Sequence, residues 1–308
     1  MSENASAAPA PALGFREVLA IQPMRRLWLA QLASVFGDFL AVFAVFSVAT
    51  FRFHATPMQL GAILIAFLLP MAVISPVAGV MVDRMDRKRC MIASDLIRAV
   101  LVLGLLKAGT LNQIYAILFC WGAVSSFFVP AQSVTLRALV PPNGLLAANA
   151  LMQQAVQASL IISPAIAGVM VDRFGAEFCY WYNAGSFVVS AALIFGIPAT
   201  PRTRLAAANL SALLRDLTTG LRFIFTHEAV AFVMISMTIG MFSIRCAGVL
   251  LAVYVRDILL SRSTMFGLLN SMVGLGMIAG AQIIPRVAAR WSRNQAVMVG
   301  LVGAGVSI

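Results

Sequence analysis

Apolar residues run along this chain in long, nearly uncharged blocks, and most of the charge sits in the short segments between them. A helix that crosses a bilayer needs about 20 mostly apolar residues. By that measure the pattern predicts spans at residues 27–50, 59–82, 91–108, 113–136, 145–171, 178–198, 229–255 and 265–285. A ninth block begins near Gln295 and stops at Ile308. At 1.5 Å per residue it reaches about 21 Å, short of a hydrocarbon core of about 30 Å. The reading therefore expects a C-terminally truncated chain that ends partway through a span.

Composition fits lipid as the solvent. The chain is 61% hydrophobic and 11% charged, with a mean hydropathy of +0.94. Soluble domains carry roughly a quarter charged residues. A water-soluble fold of this size leaves too much surface wet to hide so much apolar area. The expected fold class is all-α and polytopic.

The signals of soluble enzymes are missing from the sequence. His54 and His227 are the only histidines, too few and too far apart for a metal-ligand motif. Cys90, Cys120, Cys179 and Cys246 show no C-x-x-C spacing and read as small core residues. There is no Walker A motif and no G-x-G-x-x-G. No cofactor is expected, and no ATP-driven mechanism.

Orientation follows from the basic residues. The N-terminal stretch MSENASAAPAPALG is Ala- and Pro-rich, without a charged n-region and apolar h-region, so no cleaved signal peptide is expected. With the N-terminus cytoplasmic, fifteen Lys and Arg fall on that side. Arg52, Lys107, Arg173, Arg256 and Arg262 fall on the other, and Arg98 and Arg245 lie inside spans. The positive-inside rule selects this topology in a bacterial inner membrane. The net charge of +11 is thus a topology signal. Scattered over short loops, it forms no element for recognising nucleic acid.

One hexapeptide occurs twice: GVMVDR at Gly79 to Arg84 and again at Gly168 to Arg173. Each copy ends an apolar block, and an odd number of spans separates them, which puts them on opposite faces. A three-helix unit repeated with inverted topology is a layout of secondary transporters. After the sixth span the character changes. Residues 199–228 read as a cytoplasmic linker, in which Leu210, Leu213, Leu214, Leu217, Leu221 and Ile224 make an amphipathic helix on the membrane surface. The expected organisation is a tail (1–24), a six-helix bundle (25–198), this linker (199–228) and a partial second bundle (229–308).

GVMVDRMDRKR resembles the loop between helices two and three of the major facilitator superfamily. Gly79, Asp83, Arg84, Arg87, Lys88 and Arg89 match the family pattern, and Asp86 stands where the family prefers Gly. The stretch from Pro130 through LVP (Leu139, Val140, Pro141) to Ser163, Pro164 and Gly168 is similar to the branch containing the enterobactin exporter and macrolide-efflux proteins, with Ser163 replacing a Gly. The resemblance implies a helical bundle with a 3+3 inverted repeat in its N-terminal half. It also implies that Asp83 and nearby arginines, with Asp95 and Arg98, hold a cytoplasmic gate shut. The second copy, without the basic tail, is expected to lack that gate function. The arginine that drug antiporters of the family carry in helix four is absent, since residues 113–136 hold no charge.

A charge at the bilayer centre costs about 2.5–3.5 kcal/mol on insertion scales, so each one asks for a reason. Asp38 in the first span is a candidate proton carrier, a counter-charge for a cationic substrate, or a structural hydrogen-bonding group. Asp95 and Arg98 share a helix face as an i, i+3 pair. Arg245 either attracts an anionic group or satisfies another helix. Gln31, Gln153 and Gln157 are candidates for contact with a small-molecule substrate, or bridges between helices. The function expected is secondary transport by alternating access, a proton-driven efflux of small amphipathic molecules. The alternatives are an inactive truncated or split-gene fragment of such a transporter, or a polytopic membrane enzyme or channel.

Overall fold

The computed structural model describes residues 11–198 and 210–288. These form helices α1 (Phe15–Ala20), α2 (Gln22–Ser47), α3 (Pro57–Arg84), α4 (Arg87–Gly104), α5 (Leu111–Leu139), α6 (Leu145–Phe174), α7 (Ala176–Phe195), α8 (Leu210–Thr226), α9 (Glu228–Asp257) and α10 (Ser263–Ala288). The first six expected spans are α2 to α7, and the seventh and eighth are α9 and α10. The ninth lies outside the described residues. Among the described residues there is no strand, and the fold is the all-α polytopic one the apolar blocks predict.

Seven of the helices are long and apolar enough to cross a membrane. The exception among the eight expected spans is α4, which carries Arg87, Lys88, Arg89, Asp95 and Arg98 within 18 residues. It still packs within the bundle, against α5 and α7. Of its charges, Asp95 and Arg98 belong to a buried polar layer described below, and Arg87, Lys88 and Arg89 form its first turn.

Local chemistry sets the helix boundaries. Thr56 and Gln59 form a reciprocal capping box at the start of α3, with Gln59 N donating to Thr56 Oγ1 (3.3 Å) and Thr56 N donating to Gln59 Oε1 (2.9 Å). Gly175, at φ +82°, ends α6 in a conformation that L side chains resist, and α7 starts at the next residue. Pro70, Pro76, Pro130 and Pro164 lie inside helices, where neighbouring helices can satisfy the backbone groups they free. Successive spans alternate direction, so the bundle has two ends. One carries the Asp86 turn between α3 and α4, the other the Gly175 turn between α6 and α7.

The N-terminal segment is more ordered than its composition suggests. Leu13 N donates to Asn143 O (3.1 Å) and Asn143 Nδ2 donates to Pro11 O (2.8 Å). Val18 on α1 is fully buried. Residues 11–20 thus dock on the turn between α5 and α6.

The core comes in two apolar clusters. One lies toward the Asp86 end and includes Met24, Leu27, Met91, Phe128, Leu151 and Ile194. The other lies toward the Gly175 end and includes Leu40, Phe43, Ala99, Val102, Trp121 and Phe187. Between them, α2, α4 and α7 switch to polar residues: Gln31 and Ser34, then Ser94, Asp95 and Arg98, then Asn183, Ser186 and Ser190, all buried. Large apolar side chains such as Ile65, Val73, Val100 and Val188 point outward, as expected where the surroundings are hydrocarbon.

Candidate functional site

The polar layer is built around Arg98. Its Nη2 donates to Asp95 Oδ1 one turn earlier on α4, and its Nη1 stands 3.8 Å from Asp38 Oδ2 on α2. The guanidinium lies between two aromatic rings, 4.4 Å from the centroid of Phe128 on α5 and 4.4 Å from that of Phe187 on α7. A cation over a ring face is attracted to it, the more so when desolvated. Four helices thus position one positive charge.

The two carboxylates are held differently. Asp95 is fully buried; it accepts from Arg98 and, at 2.7 Å, from Ser190 Oγ on α7. Asp38 keeps 25% of its side chain exposed, and beyond Arg98 its contact is Asn183 Nδ2, which donates to Oδ1 at 3.4 Å. Asn183 is oriented by Ser186, whose hydroxyl donates to both its carbonyl (2.8 Å) and its Oδ1 (3.1 Å). Gly37 makes this approach possible, since a Cβ there would collide with Ser186 Oγ and Asn183 Oδ1. Two carboxylates thus share one guanidinium, and Asp38 is the less enclosed of the two.

The partners of Asp38 and Arg98 come from different helices. Asp38 has no local basic neighbour, but α4 delivers Arg98 to it. The glutamines do not reach it: Gln31 accepts from Gln132 Nε2 on α5 (2.6 Å), and Gln153 and Gln157 are exposed on α6. Arg98 does not serve the Asp83 turn, because Asp38 and Asp95 hold it within the bundle.

At the Asp86 end, Asp83 is half-buried and makes no ion pair among the described residues. Asp86, where the family pattern has Gly, is the N-cap of α4: it accepts from Arg89 N at 3.2 Å and pairs with Arg89 Nε at 3.6 Å. Its φ of −73° needs no glycine. Arg87 is buried, and Lys88 sits 5.0 Å from the Phe195 ring. Gly79 faces open space. Arg245, mid-α9, is exposed and makes no ion pair among the described residues.

The second hexapeptide is packed. Gly168 lets α10 approach α6, since a Cβ would meet the backbone of Ser263 and Thr264. Beside it, Asp172 Oδ2 accepts from Thr264 N (2.8 Å) and from Thr264 Oγ1 (2.6 Å), capping the first turn of α10. Around Pro164 the same two helices stay close: Gly267 faces the Pro164 carbonyl, and Ala165 N donates to Ser271 Oγ at 3.0 Å. Ser163 is buried with its hydroxyl unbonded among the described residues. The sequence reading missed Asn183, Ser186 and Ser190, although their spacing puts them on one face of an otherwise apolar helix. It also missed the aromatic pair around Arg98, for which single residues give no signal.

The comparisons with known proteins agree with this architecture. An uncharacterized MFS-type transporter, YfiS of Bacillus subtilis, is 35% identical over 179 residues, covering 56% of this chain and 41% of that protein. The putative bacilysin exporter BacE of Bacillus subtilis is 28% identical over 214 residues, covering 68% of this chain and 53% of the relative. Macrolide efflux protein A of Streptococcus pyogenes is 30% identical over 156 residues, 47% of this chain and 36% of its own. The chain spans about half the length, or less, of the curated relatives it matches. Residues 27–308 match the Major Facilitator Superfamily. The chain belongs to that superfamily, a family of membrane transporters rather than enzymes.

Proposed function

We propose that this chain is the helical framework of a proton-driven exporter of small amphipathic molecules, working by alternating access. In this reading the Asp86 end faces the cytoplasm, which the distribution of basic residues supports, the membrane is the bacterial inner membrane, and α8 lies along its cytoplasmic surface. Residues 25–198 act as one bundle, linked through residues 199–228 to the second.

The observation that supports it best is the partly exposed Asp38 carboxylate facing Arg98 at 3.8 Å. A carboxylate in a membrane interior that neither forms a closed ion pair nor faces lipid is suited to take and release a proton. Asp95, Arg98, Asn183 and Ser190 hold it in place. Gln31, Gln153, Gln157 and Arg245 supply polar contacts for substrate, and Asp83 with Arg84, Arg87, Lys88 and Arg89 works at the cytoplasmic closure. Efflux names among the relatives favour export over uptake.

The test is flux of ethidium and of a labelled macrolide in vesicles reconstituted with the full-length transporter under an imposed pH gradient. Uphill movement that collapses with a protonophore is expected. Flux that ignores the gradient would exclude proton coupling.

A further inference from the structure

Among the described residues α10 packs along α6 from Asp172 and Thr264 inward to Ile161 and Gly274, whereas α9 is buried only toward the Gly175 end. Along α9, Val249, Ala252 and Val255 are buried, while Met234, Met237, Met241, Phe242 and Arg245 nearer the Asp86 end are exposed. At the Gly175 end the contacts are polar and specific. Ser47 and Ser263 hydroxyls are 2.6 Å apart, and Arg256 Nη1 donates to the carbonyls of Thr50 (3.2 Å) and Ala55 (2.9 Å). Phe43 stacks on Phe266 at 4.9 Å. Asp172 closes the set by capping α10.

From this geometry we infer that Asp172 and the first turn of α10 form a releasable latch that holds the Gly175 end shut. Resting on the alternating-access reading, this makes Asp172 a positioning residue for transport. The second hexapeptide would then do different work from the first, at the opposite end of the bundle.

Three features distinguish a latch from a permanent staple. The carboxylate is exposed, so water can replace Thr264 when the ends part. It binds a 26-residue helix at its positive end, where a negative charge is favoured and no rearrangement within the helix is needed. The bonds join an end of α6 to an end of α10, so a tilt of one helix against the other breaks them together. Gly168 fixes the register: without a Cβ it brings the carboxylate, one turn on, level with Thr264.

The experiment uses the full-length transporter in cells, with the native cysteines replaced and one reporter, Ala252→Cys, in the buried stripe of α9. A membrane-impermeant maleimide is added outside. Asp172→Asn is expected to raise the labelling rate of position 252 at least about fivefold, since a hydrogen-bonded charge has been removed from the closed state alone. Thr264→Val, which keeps the backbone N–H, should raise it less. A parallel protein retaining only Cys179, buried in the six-helix core, reports the fold and should stay unlabelled in both variants.

Unchanged labelling at 252 in both variants overturns the latch, as does labelling of Cys179 that rises in step. Lost uphill transport with unchanged labelling also overturns it while leaving the transport reading intact. A labelling rise in Asp172→Asn when the unsubstituted protein also moves no substrate supports the latch and removes that reading instead.

Discussion

Arg98 Nη1 on α4 stands 3.8 Å from the Asp38 carboxylate on α2, while Nη2 of the same guanidinium is bonded to Asp95. The two acids therefore sit in different situations around one cation. Asp95 is fixed by Arg98 and Ser190 and sealed from solvent; Asp38 is reached at the outer limit of an ion pair and remains partly open. Of the two acids, only Asp38 keeps exposed surface.

That asymmetry separates coupling from binding. Asp38→Asn should abolish accumulation against a gradient while downhill exchange of labelled for unlabelled substrate persists. Counterflow measured in reconstituted vesicles makes the distinction, and uphill transport within about tenfold of wild type would exclude Asp38 as the carrier.

Arg98 should be structural as well as functional. Arg98→Met leaves Asp95 buried with no positive partner, a change that costs about 3–5 kcal/mol when one side of a buried pair is removed. The yield of monodisperse protein should fall sharply. Asp95→Asn combined with Arg98→Gln removes both charges and should restore yield without restoring transport. Arg98→Lys should not rescue either, because an ammonium cannot present a plane to both Phe128 and Phe187.

The two glycines that open the hexapeptides should respond in opposite ways. Nothing lies within 4 Å of a Cβ built on Gly79, whereas one on Gly168 meets the backbone of Ser263 and Thr264. Gly79→Ala should be neutral or stabilise by about 0.5–1 kcal/mol, the usual helix gain. Gly168→Ala should destabilise by about 1–3 kcal/mol through overpacking. Thermal unfolding of the purified proteins in detergent reads both.

Much of the fold was legible because lipid leaves little choice: eight apolar blocks gave eight helices, with boundaries off by a few residues. Asp38, Asp95 and Arg98 were legible as costly charges, and the Asp95–Arg98 pair as an i, i+3 contact. The link from Arg98 to Asp38 was not, because which helices become neighbours depends on packing, and no periodicity within one helix encodes it. The α1 segment was missed for the opposite reason. The Ala- and Pro-rich run before α1 says nothing of a docking site 132 positions away, where Asn143 holds Pro11.

The substitution at position 86 gives a simpler check. Asp86→Ala should cost about 1 kcal/mol, the usual value for losing an N-cap, while Asp86→Gly, which restores the family residue, should cost a few tenths. A large loss in the glycine variant would mean that the Asp86–Arg89 pair matters beyond the cap.

The buried layer also bounds the energetics of transport. Arginine keeps its charge at any physiological pH, and Asp95 is sealed against Arg98 and Ser190. In the proposed reading Asp38 is the layer's proton carrier, taking up and releasing one proton per cycle. One elementary charge crossing 100 mV releases about 2.3 kcal/mol, which sustains about a fiftyfold concentration ratio. In that reading a steeper gradient of a neutral substrate at that voltage draws on the pH difference as well, about 1.4 kcal/mol per pH unit.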